Sequence, residues 1–160
     1  MAKLVLALAA LVVSAASAAD LPDVKEGFWT VHTQTVDNPG AKKSEGTYSL
    51  CRDRAFDQAA RARAKSMKSC TTVSENFQAG KYSVEVHCTV AGSVIETKGV
   101  TTFQSDTAFH SETHATYNPA AYGVSEFTIT MDQKYVGSCP AGVQPGDRVN
   151  SCLLYTSRCV

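Results

Sequence analysis

Two groups of residues in this chain have types and spacings that bear on chemistry. The first is His110-Ser111-Glu112-Thr113-His114. On a strand, period two puts His110, Glu112 and His114 on one face, with neighbouring Cα atoms about 6.5–7 Å apart. Two imidazoles and a carboxylate make a ligand set for Zn²⁺ that leaves one position open for water. The spacing differs from the helical His-Glu-x-x-His motif, whose ligands meet across a turn. Phe109, Ala115 and Tyr117 form the opposite, buried face. The His/Glu face then points to solvent, without further groups to orient the ligands. His87 is a neighbour candidate on another strand, and His32 reads as a surface histidine.

The second group is the cysteines. The stretch from Cys70 to Cys88 reads as a β-hairpin, with Gly80 supplying the positive-φ position of a three-residue loop. Folding the strands back around Ala79 sets Cys70 opposite Cys88. Paired Cβ atoms there lie about 4.5–5.5 Å apart, close enough to bond. Six cysteines allow fifteen pairings and four allow three. The count falls to four if the tail is set aside. Residues 152–160, Cys-Leu-Leu-Tyr-Thr-Ser-Arg-Cys-Val, follow a Pro/Gly loop and match no earlier pattern. A reading frame through two inverted copies of the transposon end used in sequencing libraries encodes this peptide and then a stop. Residues 151–160 are therefore expected to be a sequencing-adapter artefact. The alternative is a genuine C-terminal strand with two more cysteines. With Cys152 and Cys159 excluded, Cys70–Cys88 leaves Cys51–Cys139. In the chain-entropy picture the short loop contributes about 3 kcal/mol and the long one about 4 kcal/mol.

Other catalytic arrangements lack support. The chain has no Gly-x-Ser-x-Gly elbow, no Cys-x-x-Cys and no Gly-rich phosphate loop before a helix. Four paired cysteines leave no thiolate nucleophile, and no carboxylate pair stands out for glycoside chemistry. Lys plus Arg number 15 and Asp plus Glu number 15, so bulk charge calls for neither nucleic acid nor an anionic membrane.

The N-terminus reads as a signal peptide over residues 1–18. Lys3 supplies the positive region, and Leu4 to Val13 is an apolar run too short to span a bilayer. Ala16-Ser17-Ala18 is a cleavage site. The alternative is an uncleaved anchor. No cysteine follows the apolar run, so no lipid anchor is expected, and no later segment is apolar enough to cross a membrane. Export places the protein in an oxidising compartment, where cysteines pair.

Residues 19–150 are then one β-rich domain that must position these groups. Gly27 to Val36 is the first strand, with Trp29, Val31, Thr33 and Thr35 on one face. Trp29 beside a glycine reads as a core anchor. Asp37-Asn38-Pro39-Gly40 is a turn, Lys42 to Glu45 a solvated loop, and Thr47 to Cys51 the second strand. Asp53 caps a helix from Arg54 to about Ser66, whose apolar stripe is Phe56, Ala59, Ala60 and Met67. Arg54, Arg61, Lys65 and Lys68 are either a patch for anionic lipid or polysaccharide or simply a solvated face.

In the hairpin, Tyr82, Val84, Val86 and Cys88 share a face. Val73 and Phe77 fall on the face opposite Cys70, which calls for a bulge or for burial on both sides. Strands follow over Val94 to Phe103, Thr107 to Tyr117 and Glu126 to Val136, with a loop from Asn118 to Gly123. The expected fold is mainly β: an antiparallel meander forming a strongly curved sheet or half-open barrel, with one short helix and two disulfides.

Gly27-Phe28-Trp29, the cysteine ending the second strand, the Cys70–Cys88 hairpin and the run Tyr135-Val136-Gly137-Ser138-Cys139-Pro140 through Pro145-Gly146-Asp147 resemble a bacterial exported family. That family is catalogued as domain of unknown function 3617 and is common in proteobacteria. The resemblance covers about Leu21 to Val149. It implies a soluble periplasmic location in a Gram-negative bacterium and an architecture, but no catalytic residue. This chain departs from the family pattern at Phe28, often Leu, and in its Arg/Ala helix.

Three functions fit these observations. The favoured one is a non-enzymatic periplasmic module binding a small apolar ligand or an envelope partner, with Trp29, Phe127 and Ile129 as the ligand layer. The Gly-x-Trp start and curved meander give it an analogy to lipocalin-like barrels, at the level of fold alone. The second is a Zn-binding protein using His110, Glu112 and His114. The third is an envelope interaction protein without a pocket.

Overall fold

The computed structural model describes residues 21–121 and 123–150. The expected signal peptide over 1–18 and the expected adapter-encoded tail over 151–160 lie outside the described residues. The elements are β1 (Gly27–Asn38), β2 (Lys42–Arg52), α1 (Arg54–Lys65), β3 (Cys70–Gln78), β4 (Lys81–Val90), β5 (Ser93–Ser105), β6 (Ala108–Ala121), β7 (Val124–Gly137) and β8 (Arg148–Asn150).

All eight strands join one antiparallel sheet in the order β3-β4-β5-β6-β7-β1-β2-β8. The meander runs unbroken from β3 to β7. The expectation of a strongly curved sheet or half-open barrel is corrected. The order ends at β3 and β8, and among the described residues no ladder joins those two strands. The sheet is open. Closure requires the last strand of the meander to return beside its first. Here β7 pairs with β1, whose other side is taken by β2, and α1 carries the chain from β2 across to β3 at the far edge. That crossing spans six strand spacings, about 29 Å. The 12-residue helix supplies about 18 Å of it, and Asp53 and Ser66 to Ser69 supply the rest.

Strand lengths differ from expectation in two places. Lys42 to Glu45 is paired strand, not loop, with Lys42 opposite Asp37 and Glu45 opposite Gln34. Among the described residues β8 pairs only with Tyr48 to Leu50, and no strand pairs with the other side of Lys42–Gly46. Charged side chains are what an exposed edge carries. Similarly, β6 continues through Asn118 and Pro119 to Ala121.

In the β3–β4 hairpin Gln78 pairs with Lys81 across a two-residue turn, one residue shorter than expected. Ala79 and Gly80 both have positive φ, 51° and 76°. That combination makes a type I′ turn, whose twist suits tight hairpins. A register shift between Thr72 and Ser74 brings Phe77 opposite Tyr82, onto the face that carries Cys70 and Cys88. Cys70 pairs in register with Cys88 and is bonded to it. Cys51 is bonded to Cys139.

The register divides the sheet into two faces. Trp29, Val31, Phe109 and Ala115 are the most buried hydrophobic side chains of the face that α1 overlies. An aromatic row crosses one end of this face. Tyr135, Trp29, Phe109, Phe103 and Phe77 follow one another with ring centroids 5.5–6.1 Å apart. Such spacing is the edge-on and tilted contact range that adds to simple area burial. The Trp29 indole N–H donates to the Lys25 carbonyl at 2.9 Å. Buried indoles need such a partner.

Candidate functional site

Helix α1 is held to the sheet at its N-terminal half and stands off it at the other. Asp53 caps the helix: its Oδ1 accepts from the Phe56 N–H at 2.7 Å. One turn on, Asp57 meets Arg52 at the end of β2. The Arg52 Nη2 to Asp57 Oδ1 distance is 2.9 Å, and Arg52 Nε donates to the same carboxylate at 3.1 Å. Arg52 Nη1 also donates to Gln133 Oε1 at 3.2 Å, and its guanidinium lies over the Trp29 and Phe109 rings. A planar guanidinium suits both the forked carboxylate contact and the stacked one.

No residue of α1 is buried. Phe56, Asp57 and Arg61 are half-buried, whereas Ala62, Arg63, Ala64 and Lys65 are exposed. Of the expected stripe, Phe56 and Ala60 line the space beneath the helix, whereas Ala59 and Met67 are exposed. Asp57, Arg61 and Lys65, spaced four apart, line the side toward the sheet, and Met67 is 48% exposed. Asp57 and Lys65 stand there beside apolar side chains because their partners, Arg52 and Glu75, sit on other elements. Lys65 Nζ lies 3.2 Å from Glu75 Oε2 on β3, which tethers the far end of the helix.

The small side chains of Ala62 and Ala64 leave space above the sheet. Between them and β3–β4 is a cavity of about 400 Å³ lined by Leu21, Tyr82, Val84 and Val86, with Cys70 at its edge. That volume falls within the range of small-molecule sites. A second cavity of about 400 Å³ lies beneath the helix. The two share Leu21, Arg61 and Tyr82 as walls. The floor of the second is Tyr48, Leu50, Phe103, Phe109 and Met131. The first is a mainly apolar groove between the helix and β3–β4, whereas the second also carries the polar side chains of Arg52, Asp57, Thr101, Ser111, Gln133 and Arg148.

The polar side chains of the first cavity are Arg61, Lys65, Thr72, Glu75 and Tyr82. The Tyr82 hydroxyl donates to Glu75 Oε1 at 3.0 Å. Burial pushes the Tyr82 phenol up to about 12, and the Glu75 hydrogen bond and charge push the same way, against the opposing pull of Arg61. Glu75 is engaged by both Tyr82 and Lys65. Arg61 makes no hydrogen bond or ion pair among the described residues.

Trp29, Phe127 and Ile129 share the helix-bearing face, yet the register spreads them along it. Ile129 pairs with Thr35 and Phe127 with Asp37, six and eight residues from Trp29, or about 20 and 27 Å. Trp29 is fully buried. Sequence reasoning missed the groove residues Leu21, Ala62 and Ala64, and named Arg61 only as one of four basic positions near the helix. The alternation of Tyr82, Val84 and Val86 was the visible signal, together with alanine on a helix that must cover them.

The Zn²⁺ expectation is corrected. His110, Glu112 and His114 do share the outer face, but among the described residues no three of His, Cys, Asp and Glu are placed to hold a metal ion. Each imidazole leans sideways to β7. His110 Nδ1 lies 2.7 Å from Asp132 Oδ1, and His114 Nδ1 lies 3.2 Å from Thr128 Oγ1. The strand spacing keeps the two rings apart, and cross-strand partners are nearer than a shared ion. His32 and His87 lie on the same outer face, beside Glu45 at 3.2 Å and Glu85 at 3.4 Å. No helix of the described residues is long and apolar enough to cross a membrane.

No curated protein matches the chain. The family described as "Protein of unknown function (DUF3617)" matches residues 24–139. That span runs from the lead before β1 to the Cys51–Cys139 disulfide and includes the α1 crossover and the groove's β3–β4 floor. The chain belongs to the DUF3617 family.

Proposed function

We propose that this protein is an exported, non-enzymatic binding module that holds a small apolar ligand in the groove between α1 and the sheet. The observation that carries the reading is the groove itself. Its apolar walls are Leu21, Ala62, Ala64, Val84 and Val86, and its polar groups are Arg61, Lys65, Thr72, Glu75 and Tyr82. An apolar concavity with a few convergent polar groups is the usual form of a small-molecule site. Export to the periplasm of a Gram-negative bacterium is supported by the apolar run from Leu4 to Val13 before Ala16-Ser17-Ala18, and by the two disulfides. N-terminal sequencing of protein recovered from the periplasm should begin at Ala19 or Asp20; an intact Met1 in that fraction would sink this part of the reading.

The ligand reading is tested with N-phenyl-1-naphthylamine, a neutral apolar dye that brightens on leaving water. Purified protein should bind it saturably. Val84→Trp, which fills the groove floor, should weaken binding about tenfold or more without unfolding the sheet. Saturable binding that survives Val84→Trp unchanged would place the dye elsewhere and refute the proposal, as would no binding at all.

A further inference from the structure

The groove has a polarity that specifies more than an apolar occupant. At its mouth stand three charged side chains, Arg61, Lys65 and Glu75. Lys65 and Glu75 are paired at 3.2 Å, and Glu75 also accepts from Tyr82. The remaining nearby acid, Asp57, is taken by Arg52. Arg61 is left as a half-buried guanidinium with no acid partner among the described residues, on the wall common to both cavities. A partly desolvated cation beside an apolar channel favours an anion at that point and hydrocarbon beyond it.

We infer that the occupant is a single-chain fatty carboxylate, its acyl chain lying along the groove under α1 and its carboxylate paired with Arg61. This rests on the groove being a ligand site, as proposed above. Charge complementarity selects the head group, because the mouth carries one net positive charge from Arg61, Lys65 and Glu75. The groove's form selects a chain over a compact ring system. Its apolar wall runs along β4 through Val86 and Val84 toward Tyr82, beneath Ala62 and Ala64 and beside Leu21. Guanidinium is the side chain whose fork matches a carboxylate.

The test displaces N-phenyl-1-naphthylamine with dodecanoate and with dodecanol, both below their aggregation concentrations. Wild type should bind the acid about tenfold or more tighter than the alcohol, the scale of a hydrogen bond to a charged group. Arg61→Gln should keep the dye and lose the preference, and Arg61→Lys should keep part of it. Arg54→Gln, at the exposed start of the helix where Arg54 pairs with Asp23, should change nothing. Shortening dodecanoate to decanoate should weaken binding up to about fourfold per methylene. Equal displacement by acid and alcohol in wild type would overturn the head-group assignment while leaving the groove as an apolar site. An Arg61→Gln protein that retains the acid preference, or that loses the dye as well, would also overturn it. Dye release on raising protein concentration would assign the groove to a second copy of the chain. Failure of the dye to bind at all would instead remove the underlying site.

Discussion

Replacing Arg52 with Met tests how the helix is fixed over the sheet. The Arg52 and Asp57 side chains are 12% and 14% exposed, so the pair is largely withdrawn from water. Removing the guanidinium leaves the Asp57 carboxylate without its partner and frees Gln133 Oε1. Breaking a buried pair from one side costs about 3–5 kcal/mol, and the residual exposure here favours the lower end, about 3 kcal/mol. Loss of the cation over Trp29 and Phe109 acts in the same direction, although Met preserves part of the contact. For a domain of this size about 3 kcal/mol lowers Tm by about 10 °C. Urea unfolding followed by the emission of Trp29, the sole tryptophan, reads the change directly. Arg52→Met combined with Asp57→Leu should recover to within about 1 kcal/mol of wild type, because no unpaired charge remains. A single Arg52→Met variant that loses less than about 1 kcal/mol would refute this account of the anchor.

Three further outcomes follow from particular contacts. Asp53→Ala should cost about 1 kcal/mol by removing the N-cap bond to Phe56, measurable as helix loss in far-ultraviolet circular dichroism during thermal melts. Gly27→Ala should destabilise by at least about 2 kcal/mol. Gly27 sits at φ 138°, and a Cβ there would meet the Gly137 carbonyl oxygen at 2.5 Å, so chemical denaturation should show a clear shift in midpoint. Tyr82→Phe should remove a single step near pH 12 from the phenolate absorbance titration. Since the Tyr82 phenol is raised in the folded state, its contribution to stability is present below about pH 10 and is lost as pH rises toward about 12. The variant should therefore lose less stability than wild type across that window.

Much of this fold follows from short-range pattern. The β3–β4 hairpin is legible because turn residues, alternation and the Cys70–Cys88 spacing agree locally, and the out-of-phase Phe77 signals the bulge. The helix is legible from Asp53 and its alanine content. What the sequence hides is set by partners distant along the chain. Lys42 to Glu45 looks like a loop until the β1 register pairs it. The inward side of α1 is read from polarity only in part: Phe56 and Ala60 face the sheet as expected, but Asp57 and Lys65 answer Arg52 and Glu75 on other elements. Sheet closure likewise depends on which strands flank β1, a choice that alternation does not encode. The shared face of His110, Glu112 and His114 is visible from period two, whereas the sideways turn of each ring toward β7 depends on Asp132 and Thr128. Arg61 reads as one of several surface cations until the helix is set over β4.

The groove beneath α1 is tested most directly by methyl-resolved NMR of the protein titrated with N-phenyl-1-naphthylamine. Binding there should move the methyl signals of Leu21, Ala62, Ala64, Val84 and Val86. Those of Val31, buried beside Trp29, and of Val100 on the outer face should stay in place. Shifts centred on Val100, or spread evenly over both faces of the sheet, would contradict a site between helix and sheet.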